Sequence, residues 1–301
     1  MEEKIVKLIE EEGPRTGSEI LDALGGEALG LWRACRFSER LEVRRLGSRY
    51  LRLDQKVEGF ARLSPSILRE FMTYTVVGLA RDAEVLDRKA RMILQHIRQV
   101  SESKRALAQG VFAGLRNSLA DPWPQEKRIC FLIAGDIVYG MAHDVPRPEH
   151  STGKMVKGSD VDLVVVSEDG VSKDFLKELD KAIYQEKYRT LITPALKEEI
   201  DYVVKDMARV REQLCFDTFK RMVACKILQE GELLGGSQSL FDEIKSLLVQ
   251  RGVSEKLQEW EGQARMFRQR AEDYLLRTDP ACITKEDLYL FYTSEESEEF
   301  E

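Results

Sequence analysis

The segment Gly158-Ser159-Asp160-Val161-Asp162-Leu163-Val164-Val165-Val166 places two carboxylates, one residue apart, at the mouth of an apolar run. A short apolar run of β-branched residues next to a Gly-Ser turn predicts a buried strand. Alternate side chains of a strand share a face, so Asp160 and Asp162 are expected to point the same way. Two like charges at that spacing repel, and burying them unpaired is costly. A hard divalent cation such as Mg²⁺ relieves that cost, because carboxylates together with phosphate oxygens form a usual Mg²⁺ environment. Gly158 and Ser159 supply a tight turn whose backbone N–H groups suit phosphate oxygens.

Two further segments accompany it. Upstream, Arg128-Ile129-Cys130-Phe131-Leu132-Ile133-Ala134 predicts a core strand that runs into Gly135-Asp136-Ile137-Val138-Tyr139-Gly140. Downstream, Glu199-Ile200-Asp201-Tyr202-Val203-Val204 predicts a third strand bearing Asp201. In this order the three elements, over about residues 126–236, resemble the DNA polymerase beta-type nucleotidyltransferase superfamily. The resemblance implies an α/β (α+β) core: a small mixed sheet flanked by helices. It also implies catalytic and metal-binding roles for Asp160, Asp162 and Asp201, with two Mg²⁺ ions (Mn²⁺ as the alternative). Nucleotide binding falls to Gly135, Asp136, Gly158, Ser159, Lys157 and Lys220, with Arg221 and Lys226 as further triphosphate candidates. The chain departs from the family at Asp136, where a Ser hydroxyl normally meets phosphate. It departs again in the roughly 17-residue stretch between Gly140 and Gly158, which is longer than in compact members. The implied reaction is Mg²⁺-dependent transfer of NMP from an NTP to a hydroxyl acceptor, with release of pyrophosphate. The acceptor is left open among a protein hydroxyl, an RNA 3′ end and a small alcohol. The alternative is a nucleic-acid-binding regulator whose catalytically altered domain senses a nucleotide.

The chain has 301 residues, a net charge of −7 and five scattered cysteines, Cys35, Cys130, Cys215, Cys225 and Cys282. No apolar run approaches ~20 residues, so no membrane partner is expected. The acidic start, Met1-Glu2-Glu3-Lys4, is unlike a signal peptide. The cysteine spacing suggests neither zinc nor disulfides, which fits a reduced cytoplasm.

Four segments are expected. Residues 1–55 predict three helices and then a hairpin, Leu41–Leu46 and Arg49–Leu53 about Gly47-Ser48, an order that resembles a winged helix-turn-helix domain. Within 33–52 seven arginines face only Glu39 and Glu42. Arg33, Arg36, Arg44, Arg45 and Arg49 are therefore candidates for phosphate contact with DNA or RNA; a protein-contact module is the alternative. Residues 56–125 predict a helical connector, with Ser64-Pro65 starting a helix and a long stretch, Arg81–Arg116, carrying Val85, Leu86, Met92, Ile93, Ile97 and Val100 at helical spacing. Asp121-Pro122-Trp123-Pro124 ends it, with Trp123 read as a packing residue. Residues 126–236 are the core, where Asp206–Gln229 predicts one helix. In its long loop Lys154 and Lys157 are placed to reach phosphates, while His143 and His150 lack ligand spacing. Residues 237–301 predict helices and an acidic, disordered tail, Ser294–Glu301.

Overall fold

The computed structural model describes residues 1–118, 128–149 and 152–293. The expectations for Asp121–Pro124, Trp123, His150 and the tail Ser294–Glu301 lie outside the described residues. The chain divides into two compact units, Met1–Ile97 with Trp260–Glu301, and Arg98–Glu259, so the four expected segments fall into two bodies.

The first unit opens with helix α1 (Glu2–Glu12), strand β1 (Arg15–Thr16), and helices α2 (Gly17–Leu24) and α3 (Ala28–Phe37). A capping box starts α2: Thr16 accepts from the Glu19 amide, and the Glu19 side chain accepts from the Thr16 amide. Strands β2 (Leu41–Arg45), β3 (Tyr50–Leu53) and β4 (Ala61–Ser64), helix α4 (Ile67–Thr73) and strand β5 (Thr75–Leu79) follow. The expected hairpin of β2 with β3 does not form. Strand β5 is central in the order β1-β5-β2, antiparallel to both neighbours, while β3 pairs with β4 in a separate two-stranded sheet. The cause lies in β5: all five residues of Thr-Val-Val-Gly-Leu are buried, so the strand needs a partner on each edge. The connector is therefore not helical throughout, since β4 and β5 lie within it. Ser66, not the Ser64-Pro65 pair, caps α4 by accepting from the Arg69 amide at 3.0 Å.

Helix α5 (Ala83–Ser118) runs for 36 residues and contributes to both units. In the first unit its buried positions are Leu86, Ala90 and Ile97, whereas Val85 and Met92 are exposed. In the second unit Ala108, Val111 and Leu115 join the core.

The second unit is built on β6 (Ile129–Ala134), a small hairpin of β7 (Pro146–Pro148) and β8 (Met155–Lys157), β9 (Val161–Ser167), α6 (Lys173–Ile192), β10 (Ile200–Asp206), α7 (Met207–Gln213), α8 (Phe219–Glu230), β11 (Glu232–Gly236) and α9 (Gln238–Gln250). The region expected as one helix over 206–229 is split into α7 and α8, each with its own capping side chain, Asp206 and Thr218. The sheet order is β10-β9-β6-β11, parallel between β9 and β10 and antiparallel elsewhere. The parallel pair requires a crossover, and α6 provides it. Alternation divides the sheet: Ile129, Phe131, Ile133, Val161, Leu163 and Val165 share a core with α5 and α6. The intervening residues face the other way, where α8 and α9 pack against β6. Helix α10 (Val253–Arg277) belongs to the first unit from Trp260 onward, where Ala271 and Leu275 share a core with Ile5, Leu31, Trp32 and Phe71.

Candidate functional site

Strand β9 carries Asp162 in register with Ala134 of β6 on one side and Asp201 of β10 on the other. The fold thus brings Asp162, Asp201 and the residue before Gly135 to one row of the sheet. Gly135 has φ +71°, and a Cβ there would lie 2.1 Å from Asp162 Oδ2. Only glycine admits both the left-handed backbone and the close carboxylate. Gly135→Ala is expected to lower the stability of the protein by about 1–3 kcal/mol and to displace Asp162. Thermal melting together with nucleotide binding checks this; a variant with wild-type melting and binding would contradict it.

Asp162 faces the side of the sheet covered by α8. Burial pushes its carboxyl up to about 7, and the neighbouring charges of Asp136, Asp201 and Glu230 push in the same direction, with Lys226 opposing them. This concentration of negative charge fits a cation. The wider donor set is not gathered, however: among the described residues no three His, Cys, Asp or Glu side chains are grouped so as to hold a metal ion. Asp201 Oδ1 instead accepts from Lys187 Nζ at 2.8 Å, and Asp160 forms an ion pair with Arg147.

Asp160 and Asp162 therefore have different partners, contrary to the simple alternation argument. Strand β9 begins only at Val161, so Asp160 sits in the turn before it, outside the pleat. Gly158 has φ +61°, and a Cβ there would lie 2.0 Å from the His143 carbonyl oxygen. Ser159 is engaged throughout. Its amide donates to His143 O at 3.0 Å, its hydroxyl accepts from the His143 amide at 3.1 Å, and the hydroxyl donates to Asp136 Oδ2 at 2.7 Å. The Ser159 N–H expected for phosphate is thus bound within the loop, and Asp136 ties the turn after β6 to the turn before β9.

Of the basic candidates, Lys157 donates to Ala195 O at 3.0 Å, and Lys220 is exposed in the first turn of α8. Arg221 pairs with Asp217 at 2.8 Å. Lys226 is the one whose charge is felt by Asp162, and its Nζ lies 5.7 Å from the centre of the Tyr139 ring. Sequence reasoning missed Arg147, Ser101 and Lys104. Ser101 and Lys104 sit on the buried face of α5; Ser101 Oγ accepts from the Ala142 amide at 3.0 Å, and Lys104 Nζ donates to Lys157 O at 2.6 Å. Burial pulls the Lys104 amine down, although the paired Glu198 opposes the shift. Two polar residues interrupting an apolar helical stripe were the available signal.

In the first unit four of the five candidate arginines, Arg33, Arg44, Arg45 and Arg49, have carboxylate or carbonyl partners. Arg33 donates to Leu275 O, Arg44 pairs with Glu42 and Asp87, and Arg45 and Arg49 each pair with Glu70 and Glu272. Arg36 lines a small cavity with Trp32, Arg45 and Glu70. The local excess of positive charge in the sequence is thus largely met by acids from elsewhere in the chain.

Residues 150–225 match the family model described as "Nucleotidyltransferase domain". That span holds Asp160, Asp162 and Asp201. A solved structure described as "Crystal structure of the toxin-antitoxin with AMP-PNP" is similar over 56% of this chain and 98% of that chain, at 16% identity and a TM-score of 0.24. No curated protein matches the chain.

Proposed function

We propose that the nucleotidyltransferase domain matched at residues 150–225 is catalytic, transferring NMP from an NTP to a hydroxyl acceptor with release of pyrophosphate. The observation that carries this reading is the buried Asp162 carboxylate, set between Gly135 and Asp201 with its proton affinity raised by burial and like charge. Asp162 and Asp201 would hold Mg²⁺, joined by Asp160 on its release from Arg147. When bound, the metal neutralises phosphate charge and lowers the pKa of the acceptor hydroxyl. Gly135 keeps the turn after β6 close to the carboxylates, leaving the α8 side of the sheet end for phosphates. Lys226, ion-paired with Glu230 at 2.5 Å, would supply positive charge there. Asp201, with half its side chain in solvent, would take the proton from the acceptor hydroxyl.

Asp160's pairing with Arg147 and the carboxylate at position 136 favour a second reading, in which the domain senses a nucleotide without turning it over. Thermal unfolding with each NTP, with and without Mg²⁺, separates the two. The catalytic reading expects a Mg²⁺-dependent stabilisation of about 2.7 kcal/mol at a hundredfold excess of nucleotide over Kd. A shift indifferent to Mg²⁺ favours sensing, and no shift with any NTP refutes both. Incubation with α-labelled NTPs and total cellular protein and RNA then reads the acceptor class.

A further inference from the structure

Arg147 lies in β7, its side chain only 8% exposed; besides a long contact from Nη1 to Pro148 O at 3.4 Å, its guanidinium serves three groups near the start of β9. Its Nε donates to the Gly158 carbonyl oxygen at 2.8 Å. Its Nη2 forms the ion pair with Asp160 and lies 2.9 Å from Glu199 Oε2. Glu199 is buried, and its backbone carbonyl accepts from the Val161 amide at 2.9 Å, so it is fixed at the start of the same strand pair. Glu199 Oε2 is close to Arg147 but poorly aligned for a hydrogen bond and finds no other hydrogen-bond partner. Arg147 thus supplies one positive charge shared between two carboxylates. A buried or partly buried carboxylate without such a partner is strongly disfavoured.

We propose that Arg147 is a positioning residue which holds Asp160 in the metal-free protein, and that Arg147 and a divalent cation compete for this carboxylate. The inference rests on the catalytic reading above for the ion's role, but concerns the ion alone and needs no turnover. Because Arg147 sits in the β7–β8 hairpin, release of Asp160 also loosens the tie between that hairpin and the Gly158 turn. Glu199 moderates the competition by drawing the guanidinium away from Asp160.

Titration calorimetry with MgCl₂ and no nucleotide tests this on the full chain. Glu199→Gln leaves Arg147 undivided for Asp160, and is expected to weaken Mg²⁺ binding severalfold. The double variant Arg147→Met/Glu199→Gln removes the competitor together with the buried Glu199 charge, leaving only the part-exposed Asp160 carboxylate unpaired, and is expected to bind Mg²⁺ about tenfold more tightly than wild type. In the wild type Mg²⁺ should also speed amide exchange in the β7–β8 hairpin, and in the double variant it should not. Equal or weaker Mg²⁺ binding by a natively folded double variant overturns the proposal. If the double variant does not fold, Glu199→Gln decides alone, and unchanged Mg²⁺ affinity in it overturns the proposal. The catalytic reading fails separately, if Mg²⁺ with ATP stabilises neither the wild type nor the double variant beyond ATP alone.

Discussion

Asp162→Asn is expected to reduce nucleotidyl transfer by about 10²–10³-fold, the loss seen when a single preorganised electrostatic element is removed from an active site. The same substitution is expected to stabilise the metal-free protein near neutral pH. The wild-type carboxyl titrates near 7 in the folded state because burial and the charges of Asp136, Asp201 and Glu230 disfavour its ionisation, against a value near 3.8 when unfolded. Between these values the folded state binds more protons than the unfolded state. The stability this group allows is therefore complete below about pH 4 and is lost as pH rises through 7. Asparagine keeps the shape and abolishes the titration. Denaturation at pH 5 and pH 8 should show a wild-type decline on the order of a few kcal/mol that the variant lacks. Wild-type turnover in the variant would sink the assignment of Asp162. A flat wild-type pH dependence would show instead that its carboxylate is compensated in the folded protein.

The sequence made the strand pattern of the second unit legible because two of its strands are apolar runs next to glycine turns, Gly135 and Gly158, and the third carries the β-branched pair Val203-Val204. Ile129–Ala134, Val161–Ser167 and Ile200–Asp206 lie where the pattern put them, in an α/β fold, and Ser172 caps the crossover helix. The first unit was harder to read because its strand partners are distant in sequence. Nothing near Gly47-Ser48 shows that β2 will pair with residues 75–79, since the reason is the burial of β5 on both edges. The same blindness affected charge. Counting arginines within 33–52 gave a basic patch, yet Glu70 and Glu272, from α4 and α10, neutralise Arg45 and Arg49. At the candidate site, Asp162 was singled out by the Asp-x-Asp spacing, and Gly135 and Asp201 by the order of segments that carries the family resemblance; the strand register sets Asp162 beside Asp201 and Ala134. Arg147 was not, because an arginine between two prolines in a loop carries no motif, and its meaning comes only from folding back onto Gly158 and Asp160.

Arg268→Met is expected to destabilise the first unit by about 3 kcal/mol. Arg268 is 4% exposed and joins three elements: Nη2 donates to Pro65 O at 2.8 Å and to Glu70 Oε2 at 3.1 Å, and Nε donates to Glu272 Oε1 at 3.0 Å. Methionine fills much of the volume but leaves the Pro65 carbonyl unpaired and two nearly buried carboxylates short of a cation. Arg49 still reaches both, at 2.7 Å to Glu70 and 2.9 Å to Glu272, which keeps the loss toward the lower end of the usual range for a broken buried pair. The pH dependence gives a second readout. Burial alone would push the Glu70 carboxyl up, but the hydrogen bond from Arg49 and the charges of Arg268, Arg49 and Arg45 together hold it below its ordinary value. A depressed folded pKa contributes stability above the unfolded value, near 4.5, that is lost as pH falls through the folded value. Removing Arg268 raises that folded value, so acid unfolding of the variant should begin at a higher pH than in the wild type. Tryptophan fluorescence and circular dichroism across pH 2–7 check both effects. The same network bears on the arginines expected to meet nucleic acid. Phosphates would have to displace Glu70 and Glu272 from Arg45 and Arg49, so replacing Arg44, Arg45 and Arg49 by alanine should cost stability whether or not nucleic acid binds. An Arg268→Met protein with unchanged urea midpoint and acid transition would show that the network contributes nothing net, as a fully solvated set of ion pairs would.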